Sequence, residues 1–517
     1  MTNLVTDIEE TAAETPDATA LGLPDGELTY GELWARTGRF AAALADAGLD
    51  PGDRVGVYLP NLEAYVTAFL GTLRAGGIVV PMNPQYRSRE ISHLLADSGA
   101  KAVVTLPDLV EQVRAVQAET DVHTVVSVGA DAEGATAFES FLAEAELPVR
   151  DRADEDVAVQ PYTSGTTGQP KGVLLTHHNL AFTARSSAAI HDGIRPDDRM
   201  LGVLPLFHIY GMTITMLATL FEGGSYWPLP AWDAEEALDL IEREGITLVH
   251  GVPAMYNDTV NTPDAGSYDL SSVRFANAGG SSLPREVRER FEETFGVDLY
   301  EGYGLTETSP VTHANRPDDR RPGSIGKTLP GVDSMVVDED FEELDPVERG
   351  PVEEGTDLDE VVGEIVVSGP NVMKGYYGLP EANEAAFTEV DGTRWFHTGD
   401  LGYRDEDGFF FVVDREKHMI VTGGYNVYPR EVEELLFEHP DVADVAVVGI
   451  PDERRGETVK AFVVPTPDAE TTPEELKEYC LERLAAYKHP REVEFVEELP
   501  RTTTGKVQKF ELRGGAE

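Results

Sequence analysis

Apolar and polar positions alternate with two different periods in the first third of the chain. Short apolar runs, RVGVYLP (54–60), GGIVVPM (76–82) and AVVTL (102–106), are separated by stretches with helical spacing such as TYGELWARTGRFAAALADAG (29–48). Apolar runs bounded by turn residues and alternating with amphipathic helices are typical of a parallel sheet covered by helices. The pattern predicts an α/β core over residues 28–167.

The same patterns divide the rest of the chain. A second α/β segment runs from MLGVLPLFHIYG to GVDLYEGYG (200–304), and a β-rich piece follows from GEIVVSGPNVMKGYY to GFFFVVDR (363–415). The composition changes at DREK, and the segments beyond it suit a compact α+β unit of about 100 residues. We therefore expect a large N-terminal domain over 1–413, made of two α/β subdomains and a β-rich subdomain, a hinge at 414–417, and a small α+β domain over 418–517.

Several classes of protein are excluded by the composition. No segment approaches the roughly 20 uninterrupted apolar residues of a membrane-spanning helix, and the acidic N-terminus lacks the features of a secretory signal. We expect a cytoplasmic protein without an integral membrane segment. The single cysteine, Cys480, excludes an intramolecular disulfide. Its spacing with Leu476, Leu484 and Tyr487 predicts the buried face of an amphipathic helix.

The charge balance is strongly acidic. The chain carries 94 Asp and Glu against 41 Lys and Arg, a formal net charge of −53, and only 10 of the basic residues are lysine. Such a surface repels nucleic acid. It resembles the surfaces of proteins from salt-in halophilic archaea, so we expect a halophilic source, with a merely acidic mesophilic protein as the alternative. Lys171, Lys417 and Lys506 each fall inside a motif, which marks them as candidates for binding anions.

The segment YTSGTTGQPKGV (162–173) has the composition of a phosphate-binding loop. Glycines let backbone N–H groups approach an anion, hydroxyls donate hydrogen bonds to phosphate oxygens, and Lys171 adds a positive charge. The ordinary triphosphate loop ends in Gly-Lys-Ser/Thr at the start of a helix, whereas here Pro170 precedes the lysine and Gly172 follows it. We expect this loop to connect a strand to a helix and to bind polyphosphate mainly through side chains.

Five segments together resemble the adenylate-forming superfamily of acyl-CoA synthetases. They are YTSGTTGQPKGV, EGYGLTET, HTGD, VDREKHMIVTGGYNVYP and PRTTTGKVQK, and they span nearly the whole chain in the family's order. The resemblance implies the family's two-domain fold with a mobile C-terminal domain. It also implies a two-step reaction, in which a carboxylate and ATP give acyl-AMP and pyrophosphate, and coenzyme A then takes the acyl group and releases AMP.

The resemblance assigns the nucleotide site residue by residue. The β- and γ-phosphates would be held by Thr163, Ser164, Gly165, Thr166, Thr167, Gly168 and Lys171. Tyr303, after Gly302, would stack on adenine, with Gly280, Ser281 and Ser282 on its other face, although many relatives carry Ala-Pro in place of the two serines. Asp400 would accept both ribose hydroxyls, supported by Arg415, and Asn426 would lie near the nucleotide.

The chemical step is assigned to four residues. Thr306 would reach the α-phosphate, and Glu307 would hold Mg²⁺ through oxygen, the ligand type that this cation requires. Lys506 would bridge the attacking carboxylate and the α-phosphate. His208 suits a core histidine equally well from the sequence alone, and the family position favours a gating role at the pantetheine tunnel. The C-terminal domain would rotate about Lys417, bringing Gly423 and Gly424 towards pantetheine.

The substrate class follows from departures within the family. Plant-type coumarate ligases carry lysines where this chain has Val421 and Gly423, and GGYNVYP is closer to fatty-acyl-CoA synthetases. We therefore expect a medium- or long-chain fatty acid as substrate. Loading of a carrier protein, an aryl-acid CoA ligase and an inactive nucleotide-binding regulator remain as alternatives, and both a monomer and a homodimer remain open.

Overall fold

The computed structural model describes residues 3–164, 170–352, 361–423, 425–452, 454–467, 469–502 and 507–513, except for the side chain of Ser164. The first part of the chain alternates strands and helices as its apolar pattern predicts. Its elements are α1 (Thr6–Glu14), β1 (Thr19–Leu23), β2 (Gly26–Thr29), α2 (Tyr30–Asp46), β3 (Arg54–Tyr58), α3 (Glu63–Arg74), β4 (Ile78–Pro81), α4 (Ser88–Ser98), β5 (Ala100–Thr105), α5 (Pro107–Gln117), β6 (Thr124–Ser127), β7 (Thr136–Ala137), α6 (Phe138–Phe141), β8 (Val157–Val159), β9 (Tyr162–Ser164), β10 (Pro170–Thr176) and α7 (His177–Ala188).

A second series of strands and helices follows, with a π-helix over Tyr210–Leu217 near its start. Its elements are β11 (Arg199–Gly202), α8 (Ala218–Phe221), β12 (Ser225–Pro228), α9 (Ala234–Glu244), β13 (Leu248–Gly251), α10 (Pro253–Asn261), β14 (Phe275–Ala278), α11 (Arg285–Phe295), β15 (Leu299–Gly304), β16 (Val311–Ala314) and β17 (Lys327–Thr328).

The remaining elements form the β-rich piece and the C-terminal unit. The β-rich piece contains β18 (Asp333–Val337), β19 (Gly363–Ser368), β20 (Gly375–Tyr376), α12 (Pro380–Ala386), β21 (Phe387–Val390), β22 (Thr393–Arg404) and β23 (Phe410–Arg415). The C-terminal unit contains β24 (Ile420–Thr422), β25 (Tyr425–Val427), α13 (Pro429–Phe437), β26 (Val442–Asp452), β27 (Gly456–Pro465), α14 (Pro473–Arg483), β28 (Glu492–Phe495) and α15 (Lys509–Leu512).

The described strands form four sheets. The first has the order β20-β10-β8-β4-β3-β5-β6-β7, with β9 paired to β10, and the second has the order β17-β16-β15-β14-β13-β11-β12-β1-β2. The third contains β18-β19-β22-β21, with β23 on β22, and the fourth contains β25-β24-β27-β26, with β28 on β27. One apolar core joins the first two sheets, whereas the fourth sheet has cores of its own. The predicted class, a large α/β domain followed by a small α+β domain, is confirmed.

The predicted hinge lies between the third and fourth sheets. Strand β23 ends at Arg415 and β24 begins at Ile420, with a 3-10 turn over Glu416–His418 between them. Two hydrogen bonds tie α13 to the end of β23, because the Arg430 backbone N–H donates to Asp414 Oδ2 at 3.0 Å and its guanidinium donates to the Val412 carbonyl at 2.7 Å. The boundary at 414–417 itself stays a prediction.

The glycine-rich segment joins two strands, so the predicted strand-to-helix connection is wrong. Pro170 begins β10, which runs antiparallel to β9 with Lys171 opposite Thr163. Strand β10 also pairs with β8 and β20, and only after it does α7 begin at His177. The extended backbone that precedes α7 is therefore a strand held on both sides, and it gives Lys171 a fixed place on the first sheet.

Two further expectations are tested by the fold. Leu476 and Cys480 are fully buried on α14, as the spacing predicts. The helix ends at Arg483, so the prediction is wrong for Leu484, which caps the helix, and for Tyr487, which lies beyond it; both are half-buried. Burial raises the pKa of the Cys480 thiol to about 12, so it is a poor nucleophile. Among the described residues, every helix is too short or too polar to cross a bilayer.

Candidate functional site

The candidate nucleotide site lies where the parallel strands of the second sheet end. Strands β13, β14 and β15 run parallel, so their carboxyl ends share one edge. Gly280, Ser281 and Ser282 follow β14, and both serines are exposed. Crevices at this edge of an open α/β sheet are the usual place for ligands.

Three predicted site residues lie at this edge of the sheet, on β15 or on the turn that follows it. Tyr303 lies near its end, and Thr306 and Glu307 lie on the 3-10 turn Thr306–Thr308 that follows. The turn is tight, because a Cβ atom on Gly304 would be 1.8 Å from the Pro310 carbonyl oxygen, so only glycine fits there.

The first group of site residues surrounds a buried carboxylate. Asp400, on β22, accepts a hydrogen bond from the Tyr303 hydroxyl and lies 2.9 Å from Arg415 Nε on the neighbouring strand β23. Its side chain is 3% exposed. Asp400 raises the pKa of Arg415, and burial, followed by Asp400, raises the pKa of Tyr303 well above its ordinary value. The structure thus brings together three predicted residues from β15, β22 and β23. The Asp400 carboxylate is held in place by two hydrogen-bond donors, Tyr303 and Arg415.

Lys417, which the sequence predicts as the hinge, lies close enough to this carboxylate group to feel its charges. Burial, and then the charge of Arg415, lower the pKa of Lys417, while Asp400 acts in the opposite direction. Asn426 is half-buried on β25, opposite Val421. Gly423 follows β24, and the space that a Cβ atom would occupy there is open to 4 Å. These three residues belong to the hinge and the first strands of the C-terminal unit.

A second group surrounds Glu307 and includes a residue that the sequence analysis missed. The Tyr376 hydroxyl donates to Glu307 Oε1 at 2.9 Å, and the Tyr376 ring centroid lies 5.0 Å from Lys171 Nζ. Strand β20 places Tyr376 opposite Val173 of β10. Burial, followed by Glu307, raises the pKa of Tyr376. Tyr376 therefore links the predicted phosphate lysine to the predicted metal ligand, and it lies 69 residues from Glu307 in the sequence.

Glu301 supports the segment after β14 that contains Gly280, Ser281 and Ser282. Glu301, on β15, is buried and accepts the Leu283 backbone N–H at 3.3 Å. Burial raises the pKa of Glu301 to about 7. Its place one residue before Gly302, inside EGYGLTET, is the only sequence signal that could have singled it out.

His208 lies two residues before the π-helix and is half-buried. Its Nδ1 accepts the Tyr210 backbone N–H at 3.2 Å. The Tyr210 hydroxyl is buried and donates to Asn277 Oδ1 at 2.8 Å, with His250 Nδ1 at 3.1 Å. Asn277 in turn packs against the backbone of Gly302, since a Cβ atom there would be 3.3 Å from Asn277 Oδ1. His208 is more exposed than His191 and His250, which are buried in the same core.

Several predicted residues lie outside the described part of the chain. They are Gly165, Thr166, Thr167, Gly168, Gly424 and Lys506, together with the side chain of Ser164. Their neighbours Thr163 and Lys171 are described and pair across β9 and β10. The assignments of these residues stay predictions.

The side chains near Glu307 suit a Mg²⁺ ion that is held partly by substrate, and not a metal ion that is held by protein ligands alone. The described residues contain no group of three or more His, Cys, Asp and Glu side chains that could hold an ion. Glu307 offers one half-buried carboxylate. Mg²⁺ is commonly held by one or two carboxylates together with substrate phosphates and water. Glu307, connected to Lys171 through Tyr376, fits that pattern.

Comparisons with known proteins identify the family. The AMP-binding enzyme model matches residues 8–377, and the model of the AMP-binding enzyme C-terminal domain matches residues 431–506. The long-chain-fatty-acid–CoA ligase of Bacillus subtilis (strain 168) is 39% identical over 536 residues, which cover 98% of this chain and 93% of that protein. The feruloyl-CoA synthase of Amycolatopsis sp is also 39% identical, over 504 residues that cover 97% and 96%.

A solved structure with the same fold is MatB from Rhodopseudomonas palustris with ATP bound. It is 34% identical, with a TM-score of 0.89 over 99% of this chain and 98% of that one. The apo form of MatB gives a TM-score of 0.79 at the same identity and coverage. Because its two family models together match most of the chain, and relatives at this identity cover nearly all of it, the chain belongs to the AMP-binding enzyme family.

Proposed function

We propose that the chain is an AMP-forming acyl-CoA synthetase that activates a medium- or long-chain fatty acid. Its class, an AMP-forming acid–thiol ligase, follows from the family. The observation that supports the proposal is that two groups of side chains lie at the end of β15. One surrounds the buried Asp400, and the other connects Glu307 to Lys171 through Tyr376. A nucleotide triphosphate needs both a ribose acceptor and a phosphate-binding cation, and these two groups supply them.

The proposed roles follow from the chemistry of each side chain. Asp400, held by Tyr303 and Arg415, accepts the ribose hydroxyls through the free lone pairs of its oxygens. The ring of Tyr303 stacks on adenine. Lys171 holds the β- and γ-phosphates, and Thr306 donates to the α-phosphate. Glu307 would hold Mg²⁺, which neutralises phosphate charge when bound.

The attacking carboxylate needs no general base. A fatty acid is already ionised at pH 7, so the barrier falls through positioning and charge stabilisation at the α-phosphate, in which Lys506 takes part. His208 controls the passage between the acyl group and pantetheine. After adenylation the C-terminal domain rotates about Lys417, and Gly423 and Gly424 leave room for coenzyme A.

The arrangement of the two domains supports an adenylation-competent state. The chain superposes better on ATP-bound MatB, with a TM-score of 0.89, than on the apo form of the same protein, with 0.79. Since both MatB structures have the same identity and coverage here, the difference lies in conformation. We infer that the structure represents the nucleotide-binding orientation.

The second candidate function is an aryl-acid CoA ligase. A feruloyl-CoA synthase and a long-chain-fatty-acid–CoA ligase are equally similar to this chain, at 39% identity. Val421 and Gly423, where coumarate ligases carry lysines, favour the fatty acid.

A panel of carboxylates tests the proposal. The full chain is supplied with ATP, magnesium and coenzyme A, and AMP release is measured with fatty acids of increasing length and with ferulate. We expect AMP release with fatty acids that depends on coenzyme A. Preference for ferulate would support the aryl-acid ligase, AMP release without coenzyme A would support delivery to another acceptor, and ADP as the product would contradict the proposal.

Replacing Glu307 with Gln should weaken the magnesium-dependent first step. The amide keeps the acceptor for Tyr376 but removes the charge that holds the cation, so pyrophosphate formation should fall by about 10²-fold. Tyr376→Phe removes one hydrogen bond to that carboxylate and keeps the ring near Lys171, so it should cost about 3- to 10-fold. The measurement is pyrophosphate release across a magnesium titration.

Glu381→Gln is the matched control for this pair, because Glu381 is an exposed acid in the first turn of α12. It should leave the titration unchanged. A Glu307→Gln variant within about twofold of the wild type at saturating magnesium would contradict the metal assignment.

A further inference from the structure

The HTGD segment forms a bulge that points Asp400 towards its partners. Strand β22 pairs with β19 through Glu364 opposite Leu401 and Val366 opposite His397, so two steps along β19 correspond to four along β22. The extra residues include Gly399, whose φ is +68°. A Cβ atom there would meet nothing within 4 Å, so the left-handed backbone, and not lack of space, favours glycine.

Glu364 holds this bulge through both of its carboxylate oxygens. Its Oε2 lies 2.7 Å from His397 Nδ1, and its Oε1 accepts the Gly399 backbone N–H at 2.8 Å. Because a carboxylate only accepts, the proton between them belongs to His397 Nδ1. His397 Nε2 lies 2.8 Å from Thr388 Oγ1 on β21, which pairs with β22. The imidazole is thereby fixed between β19 and β21.

Thr398 completes the connection to the carboxylate. Its hydroxyl donates to the Ile365 carbonyl and accepts the Asp400 backbone N–H at 3.1 Å. Hydrogen bonds thus hold each residue from His397 to Asp400 in place. The Asp400 side chain, in turn, contacts Tyr303 and Arg415.

We propose that Glu364, acting with His397, is a positioning residue that orients Asp400 and so sets the enzyme's preference for a ribose with both hydroxyls. The inference rests on the proposed function, in which Asp400 accepts those hydroxyls. Glu364 contacts the backbone of Gly399 and the His397 ring, so its effect on nucleotide binding passes through the bulge.

The test compares binding of AMP and 2′,3′-dideoxy-AMP to the full chain by calorimetry. In the wild type, AMP should bind about tenfold more tightly or better, because a carboxylate that accepts hydroxyl groups discriminates against their loss. Glu364→Ala should weaken AMP by about tenfold and dideoxy-AMP by less than about twofold, so that the ratio approaches one. Glu364→Gln keeps an acceptor for the Gly399 N–H and should retain most of the preference.

Glu343→Ala is the matched control. Like Glu364, Glu343 pairs with a basic residue of β22, here Arg404 at 3.0 Å, but it lies away from the bulge. Its removal should leave the AMP preference at the wild-type value. Thermal midpoints measured on each variant check that the chain is folded.

Two results would overturn the inference. A wild-type ratio in Glu364→Ala would show that the bulge does not orient Asp400, and equal weakening of both nucleotides would show a general structural role. Asp400→Ala separates this failure from that of the proposed function, because a wild-type ratio there would refute the ribose assignment itself. If Glu364→Ala does not fold, His397→Ala keeps the bond to Gly399 and should lower the ratio about threefold, and an unchanged ratio would again overturn the inference.

Discussion

Asp400→Ala should lower the rate of acyl-AMP formation at limiting ATP by about 10²-fold or more, because two charge-assisted hydrogen bonds to ribose are lost together. The carboxylate is 3% exposed and carries Tyr303 and Arg415 on its two oxygens. Its removal also leaves the Arg415 guanidinium without its partner. The loss should therefore appear mainly in the KM for ATP, with a smaller change in kcat.

Asp400→Asn separates the loss of charge from the loss of volume. It keeps one acceptor and should fall between the wild type and Asp400→Ala. Asp407→Ala is the control, because Asp407 is an exposed acid on the turn after β22 that pairs with Arg321 at 2.7 Å. Pyrophosphate release across an ATP titration measures all three variants. A KM for ATP within about twofold of the wild type in Asp400→Ala would refute its assignment to the ribose.

The fold could be predicted from the sequence because it depends on the periodicity of the apolar residues and on the order of the strands and helices along the chain. Alternating apolar runs and amphipathic helices gave the two α/β sheets, and the change at DREK precedes a unit with its own apolar cores. The error at the glycine-rich segment has a local cause. Pro170 and the residues after it read as a loop, yet they pair with β8, β9 and β20. Pairing with a strand as distant as β20 leaves no periodic signal in the sequence around Lys171.

Residues of the candidate site could be predicted where they lie inside a recognisable sequence motif. Tyr303, Glu307, Asp400 and Arg415 each lie inside a quoted motif, and the structure brings Tyr303, Asp400 and Arg415 into contact. Tyr376 and Glu364 were missed, because their partners lie 69 and 35 residues away. Such partners become visible only when strands are paired. The AMP-forming CoA ligase class is confirmed by the family, whereas the fatty-acid substrate, the halophilic source and the cytoplasmic location stay predictions.

The largest separation of effects is expected between Lys417, in the predicted hinge, and Lys506, in the C-terminal domain. One site must first enclose a triphosphate and later admit a thiol, so the two faces of that domain should serve different steps. Lys506 lies outside the described residues, but its flanking residues Arg501 and Val507 form an antiparallel bridge. Lys417 lies on the 3-10 turn between the third and fourth sheets, beside Asp400 and Arg415.

Lys506→Ala should slow acyl-AMP formation by about 10²-fold or more, the usual cost of removing a preorganised charge donor. Thioester formation from supplied acyl-AMP and coenzyme A should stay nearly unchanged, because that step uses the other face. Lys477→Ala is the control, since Lys477 forms a surface pair with Glu474 on α14; its removal should leave both steps intact.

Lys417→Pro should give the reverse pattern. Proline fixes φ and removes a backbone donor at the turn about which the domain is proposed to rotate. The thioester step should therefore be lost, while the nucleotide-binding orientation remains accessible. The chain matches ATP-bound MatB with a TM-score of 0.89, which supports the orientation proposed above for adenylation. Both half-reactions are measured on both variants by rapid quench. Equal losses in the two steps for Lys506→Ala, or a Lys417→Pro variant that forms the thioester at the wild-type rate, would contradict the division of work between the two faces.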